Sequence, residues 1–218
     1  EVSFCVPTGN FGDAYAGYLA KERFDIPIKK IIIATNKNNI LDRFLKSGIY
    51  KIEKVYKTIS PSMDIQIASN FERLLYDINN QDSNKIKYLM NKFMETGVIK
   101  ICDRSFRLAR ENFTSYSISD KKTLDRIKTT YEKNKIIIDP HTAIGLEASN
   151  QYIHENEDET VITLATAHPA KFSDAVSSIL GFNPNLPKNY RNIFNLKEEF
   201  KILNNSYQEV KEFLIKNV

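Results

Sequence analysis

Val2-Ser3-Phe4-Cys5-Val6-Pro7-Thr8-Gly9-Asn10-Phe11-Gly12-Asp13 stands near the start of the chain and decides how the rest is read. Its first residues are mostly apolar and end at a proline, which reads as a short strand over Val2–Pro7. Thr8–Gly12 supplies a turn. From Asp13 to about Arg23, Ala14, Ala16, Tyr18, Leu19 and Ala20 alternate with polar residues as in a packed helix. After Pro27 the run Lys30–Ala34 is a second apolar strand, closed by the loop Thr35-Asn36-Lys37-Asn38-Asn39. Strand, tight turn, helix and strand within ~35 residues make a βαβ unit, and hence a parallel sheet. The chain has 7 glycines in 218 residues, about half the usual ~7%. Gly9, Gly12 and Gly17 lie close together. In so glycine-poor a sequence, that clustering serves the backbone.

Working outward, Ile40–Lys46 is a short helix ended by Gly48. Phe71–Ile78 and Ile86–Met94 carry apolar residues at helical spacing, and Ser119-Asp120 starts a further helix with Leu124, Ile127 and Tyr131 on one face. Lys135–Asp139 reads as a third strand, stopped by Pro140, and His141–Ile153 as a helix. Val161–Ala165 reads as a fourth strand before Pro169, followed by a helix over Phe172–Leu180. Asn183–Asn195, rich in asparagine and holding Pro184 and Pro187, reads as loop. Ser206-Tyr207-Gln208-Glu209 has the form of a capping box, with Val210, Phe213, Leu214 and Val218 following at helical spacing. The class is α/β, a mostly parallel sheet flanked by helices. The stretch from about 60 to 134 is expected as a helical insertion or cap.

Composition narrows the function. With 42% hydrophobic and 27% charged residues, disorder and collagen-like repeats are excluded. No apolar run approaches the ~18 residues of a membrane span, the longest being Ile31–Ala34. The net charge of +4 is mild, with both signs intermixed, which is a solvated surface rather than a nucleic-acid footprint. Cys5 and Cys102 cannot build a disulfide framework, so a reducing cytoplasm is the expectation. Residue 1 is Glu, the first methionine is Met63, and a strand begins at once. The chain therefore reads as a C-terminal fragment.

The turn between Val6 and Asp13 sits where backbone N–H groups and a helix dipole can hold a phosphate. Two other phosphate loops fail here: there is no G-x-x-x-x-G-K-[ST] and no G-x-G-x-x-G. Gly9-x-x-Gly12 fits the RNA-binding G-x-x-G by letters, yet that loop joins two helices and this one follows a strand. The plainer alternative is a turn that merely joins strand to helix, with Asp13 as a helix-start residue favoured by the dipole. Asp139-Pro140-His141-Thr142-Ala143-Ile144-Gly145 and Thr163-Leu164-Ala165-Thr166-Ala167-His168-Pro169-Ala170-Lys171-Phe172 also join strand to helix. Ligands of open α/β sheets bind outside the carboxyl ends of strands, so these segments and the glycine turn are candidates to converge. His141 and His168 have no third residue at metal-ligand spacing, which favours capping or packing histidines. Cys5 alternates within a strand and reads as core.

Pro7-Thr8-Gly9-Asn10-Phe11-Gly12-Asp13 closely resembles the phosphate loop of the threonine synthases. So do Ile33–Asn39, Ser62-Met63-Asp64, Ser69-Asn70-Phe71-Glu72-Arg73-Leu74, Asp139–Ala143 and Thr166–Phe172, in the family's order and over residues 2 to about 190. The resemblance implies fold type II of the pyridoxal-phosphate enzymes. It also implies conversion of O-phospho-L-homoserine and water to L-threonine and phosphate. Gly9, Asn10, Phe11, Gly12 and Asp13 match the loop around the cofactor phosphate, and Thr166 matches the hydroxyl at the pyridine nitrogen. Asn70 and Arg73 match the positions expected to hold the substrate phosphate, with Lys171 either a second cationic contact or a helix-surface lysine. The family's Schiff-base lysine lies in its N-terminal half in a Phe-Lys-Asp context, and no Phe-Lys-Asp occurs here. The chain taken alone is therefore expected to be inactive. The alternatives are another fold-type-II activity, such as a serine or threonine dehydratase, and a non-catalytic relative that binds phosphate ligands.

Overall fold

Every residue from Ile31 to Asn36 is buried, the mark of a strand covered on both faces. The chain around it is described here from a computed structural model over residues 1–217. Strand β1 (Val2–Pro7), helix α1 (Gly12–Phe24) and strand β2 (Ile28–Thr35) form the βαβ unit read from the sequence. Next come α2 (Ile40–Ser47), β3 (Ile49–Lys51), α3 (Phe71–Ile78), α4 (Ser83–Thr96), β4 (Val98–Lys100) and α5 (Asp103–Asn112). They are followed by β5 (Phe113–Ser117), α6 (Asp120–Asn134), α7 (Pro140–Glu155), β6 (Val161–Thr163) and α8 (Ser173–Leu180).

The main sheet has the order β5-β2-β1-β6 and is parallel throughout, with Cys5 level with Ile32 on one side and Thr163 on the other. Strands β3 and β4 pair separately and antiparallel. Alternation along β2 divides the core. Ile31 and Ile33 join Val6, Phe11, Ala14, Phe44, Phe71 and Phe113 on one face. Ile32 and Ala34 join Cys5, Ile144, Ala148 and Tyr152 on the other. Cys5 is core, as its alternation predicted: its thiol donates to the Gly145 carbonyl at 3.2 Å, and burial pushes its pKa up to about 12. Cys102 is exposed.

Two expectations about the sheet fail. Lys135–Asp139 is not a strand: Lys135 ends α6 in a left-handed conformation at φ 59°, and Ile136 is exposed. The fourth place in the sheet goes to β5, inside the stretch expected to be helical. Phe113-Thr114-Ser115-Tyr116-Ser117 has only two large side chains among hydroxyls, which is enough for an edge strand with a single neighbour but weak as an apolar run.

Residues Glu1–Pro184 form one unit and those from Asn185 onward a second. The second unit holds two short 3-10 turns, within the span read as loop, and α9 (Tyr207–Asn217). Ser206 Oγ accepts the Glu209 N–H, while the Glu209 carboxylate accepts from Asn204 instead of closing the box on Ser206. Val218 lies outside the described residues. Among the described residues, no helix is long and apolar enough to cross a membrane.

Helix α7 lies so close to β1 that Gly145 has no room for a side chain: a Cβ there would meet Pro7 Cγ at 2.8 Å and Thr163 Cγ2 at 2.9 Å. Neither is the free end of a flexible chain. Gly145→Ala is therefore expected to lower stability by ~1–3 kcal/mol through overpacking, measured as a fall in urea unfolding midpoint. An unchanged midpoint would show that α7 can retreat without penalty.

Candidate functional site

Because the sheet is parallel, β1, β2, β5 and β6 all release their following loops at one end. The glycine turn after β1 and the Leu164–Lys171 segment after β6 thus leave neighbouring strands at the same edge, as the sequence allowed. Thr142 Oγ1, in the first turn of α7, accepts the Thr166 N–H at 3.3 Å and ties in the third segment.

The turn itself is built against local preference. Phe11, the residue before α1, sits in left-handed backbone at φ 66° with no side-chain cap on the helix. For a non-glycine residue that costs of order 1–3 kcal/mol. Two contacts offset the strain. The Phe11 N–H donates to Thr8 Oγ1 at 3.0 Å. Its ring, 1% exposed, packs edge-on to Phe71 and tilted on Phe113, with centroids 5.8 and 5.3 Å away. Thr8 is held in turn by its N–H to the Ala34 carbonyl at 3.0 Å. The N–H groups of Gly12, Asp13 and Ala14 open the helix without intrahelical acceptors. They stand at the end carrying about half a positive charge. Main-chain donors so placed are of the kind that can take an anion such as a phosphate. The Asp13 side chain is exposed, consistent with its reading as a helix-start residue.

The floor under the turn is the segment at residues 60–65. A Cβ on Gly9 would meet Met63 Cα and Ser62 O at 3.1 Å, so glycine alone lets the turn lie flat on that backbone. A half-buried polar network fixes the floor. Asp64 accepts from Asn36 Nδ2, Asn38 Nδ2, Thr58 N–H and Thr58 Oγ1, at 2.7–2.9 Å. Asn36 Nδ2 also reaches Ser60 Oγ at 2.9 Å, and Asn38 exchanges two bonds with the Tyr56 main chain.

The two residues expected at a second phosphate part company. Asn70 meets the turn, with both its N–H and its Nδ2 donating to the Asn10 carbonyl at 3.1 Å. Arg73, one turn further along α3, lines a groove of about 740 Å³ between α1, α3 and α4 with Arg23 and Lys87, and residues 8–12 do not border it. Thr166 is exposed. His168 Nδ1 accepts the Ala170 N–H at 3.2 Å, a cap on the short 3-10 turn that includes Lys171. His141 is buried against the Phe172 ring at 4.4 Å, with Nδ1 on Asp139 Oδ1 at 2.9 Å. Among the described residues, no group of three or more His, Cys, Asp or Glu side chains is placed to hold a metal ion.

Within the Asp139–Gly145 segment, Asp139 has a role that its sequence context did not single out. This fully buried carboxylate precedes α7 and accepts from the N–H and Nδ1 of His141 and from the N–H and hydroxyl of Thr142. Burial alone raises its pKa, but the hydrogen bonds from His141 and Thr142 outweigh that and lower it. Asp before a helical proline was the available signal; the bonds to His141 and Thr142 become visible only in three dimensions.

A family model described as "Threonine synthase, C-terminal" matches residues 142–214. Threonine synthases of Pseudomonas aeruginosa and Saccharomyces cerevisiae are 38% and 41% identical to the chain over 98% and 100% of its length. The crystal structure of pyridoxal-phosphate-bound threonine synthase from Brucella melitensis superposes with a TM-score of 0.86 at 41% identity over 98% of the chain. The chain belongs to the threonine synthase family. The yeast enzyme's structure agrees, with a TM-score of 0.84 at 37% identity over 99% of the chain. The chain spans 45–46% of the length of the two relatives and 45–47% of the two solved chains. The α/β architecture implied by the resemblance is the one observed. A fungal L-serine ammonia-lyase, at 14% identity and a TM-score of 0.50 over 82% of this chain and 50% of its own, shares the fold alone.

Two outcomes follow from the two carboxylates. Asp64→Ala removes the acceptor of four hydrogen bonds in a half-buried network and is expected to cost about 1–3 kcal/mol of unfolding free energy, read by denaturant titration. A cost below ~1 kcal/mol would show that water replaces them. Asp139, with its pKa lowered in the fold, contributes stability that is complete above the ordinary value of 3.8 and lost as pH falls below it. The acid limb of the stability–pH curve is expected to flatten in Asp139→Asn, and an unaltered limb would contradict the assignment.

Proposed function

We propose that the protein to which this chain belongs is an active threonine synthase. It would use pyridoxal phosphate to convert O-phospho-L-homoserine and water to L-threonine and phosphate. The observation that carries the reading is the glycine turn at the start of α1, with uncommitted first-turn amides beside the Thr166 segment, in a chain 38–41% identical to threonine synthases.

The residues present fit the cofactor. Its phosphate suits the amides of Gly12, Asp13 and Ala14, with Gly9, Asn10 and Phe11 shaping the cradle. The Thr166 main chain is held by Thr142, which leaves the Thr166 hydroxyl to address the pyridine nitrogen. A neutral hydroxyl there leaves the ring less electron-withdrawing than a carboxylate partner would. When bound, pyridoxal phosphate supplies an electron sink that acidifies C–H bonds beside the substrate's amino group. The chain's own residues do the holding. Arg73 offers a planar fork to the substrate phosphate. Asn70, with one amide hydrogen on the Asn10 carbonyl, keeps a second for an anion at the turn, while Arg73 borders the groove between α1, α3 and α4. The lysine that holds the cofactor covalently is proposed to lie outside this chain, which contains no Phe-Lys-Asp. This chain taken alone is accordingly inactive.

The full-length protein, supplied with pyridoxal phosphate and O-phospho-L-homoserine, is expected to release threonine and phosphate in equal amounts. Arg73→Ala is expected to lower kcat/KM at least tenfold, about the loss of one charge-assisted hydrogen bond of ~1.5–3 kcal/mol. Cofactor binding with neither product would sink the reading in favour of a binding-only relative. Turnover of serine or threonine that ignores Arg73 would favour a dehydratase.

A further inference from the structure

Thr166 leaves β6 on an exposed segment that makes no regular structure until the turn at Pro169–Phe172. Something must fix its direction if its hydroxyl is to meet one ring atom. The segment is held at both ends by neighbours of a single buried carboxylate. At one end Thr142 Oγ1 accepts the Thr166 N–H. At the other the His141 ring packs on Phe172. Both Thr142 and His141 hydrogen-bond to Asp139, which is 0% exposed.

The bonding is directional. A carboxylate only accepts, so the Thr142 hydroxyl hydrogen is committed to Asp139 Oδ2, and its lone pairs are left for the Thr166 N–H. The same logic sets His141: with Oδ1 facing Nδ1, a ring hydrogen sits on Nδ1. Among the described residues Nε2 has no hydrogen-bond partner, so the ring is oriented by Asp139 and Phe172.

We propose that Asp139 is a positioning residue that acts through Thr142 to aim Thr166 at the cofactor ring, and through His141 to brace Phe172. The aiming role rests on the Thr166 assignment made above; the clamp itself does not. An amide in place of the carboxylate would set an NH2 group against one of the donors and unlock both arms.

The test uses the full-length protein with Thr142→Val, Thr142→Ser, Asp139→Asn and Thr166→Ala. In the cofactor-free form, hydrogen exchange at the Thr166 amide is expected to quicken roughly fivefold in Thr142→Val, the equivalent of one ~1 kcal/mol hydrogen bond. It should quicken in Asp139→Asn as well and keep the parent rate in Thr142→Ser, which retains the hydroxyl. In the holoenzyme, Thr142→Val and Asp139→Asn are expected to shift the cofactor absorption band in the direction Thr166→Ala shifts it. Adding Thr142→Val to Thr166→Ala should bring no further shift. Unchanged exchange in Thr142→Val, or exchange in Thr142→Ser as fast as in Thr142→Val, overturns the clamp whatever the cofactor does. A band that moves in Thr166→Ala but not in Thr142→Val overturns the positioning role. If Thr166→Ala leaves the band in place, the pyridine assignment and with it the aiming role fall, and the exchange rates still decide the clamp.

Discussion

The left-handed backbone at Phe11 is the constraint on which the rest of the site depends. It turns the chain from the end of β1 into the first turn of α1, whose opening amides have no intrahelical acceptors. A glycine would adopt that conformation without strain, but it would have no ring to bury. The Phe11 side chain reaches Phe71 of α3 and Phe113 of β5, and Phe71 continues the stack to Phe44 and Tyr50 at 4.6 and 4.4 Å. The strain is thus held by the packed core itself. Loosening that aromatic row would relax the turn before it unfolded the sheet.

Around the turn, the parallel sheet decides which loops can take part, and polar networks decide their shape. Parallel order places the loops after β1, β2 and β6 at one end, but a loop has no ladder to fix its path. Here the loop after β2 is locked by Asn36 and Asn38 to Asp64, whose segment is the surface that Gly9 lies on. Gly9 has an ordinary backbone conformation. Its requirement is space, whereas the strained position two residues later is filled by a phenylalanine.

Much of this was readable in the sequence where local signals agree with the tertiary outcome. The first βαβ unit, the glycine turn and the helix starts at Asp120 and Pro140 carry their own punctuation in caps, prolines and apolar runs. Strand β5 was hidden because Thr114, Ser115 and Ser117 take their strand character from β2 alongside. Lys135–Asp139 misled for the opposite reason, since three consecutive isoleucines read as a strand while their backbone leaves α6 through a left-handed residue. At the site, the amides of the turn were legible as a motif. The fork of Arg73 was read as a partner of Asn70, yet α3 points the two toward different surroundings. Side-chain direction along a helix depends on which neighbours pack against it, and no single segment records that.

Two carboxylates, Asp139 buried and Asp64 half-buried, share one design. Asp64 accepts from four donors supplied by Asn36, Asn38 and Thr58, and Asp139 from four supplied by His141 and Thr142. Four is about the number of lone-pair directions a carboxylate offers, so the accepting capacity of each is filled. A network filled in this way gains little net stability over an apolar core, but it tolerates few alternative geometries. That suits the task proposed for these loops, to hold backbone amides and one hydroxyl in place. Saturation also explains why a one-atom exchange to asparagine is disruptive. Half of the accepting edge becomes a donor that faces donors, and the loop must open to relieve the conflict. The rigidity of the site is therefore carried less by the sheet beneath it than by these two acceptor centres, one fixing the floor of the glycine turn and the other, through Thr142, the Thr166 main chain.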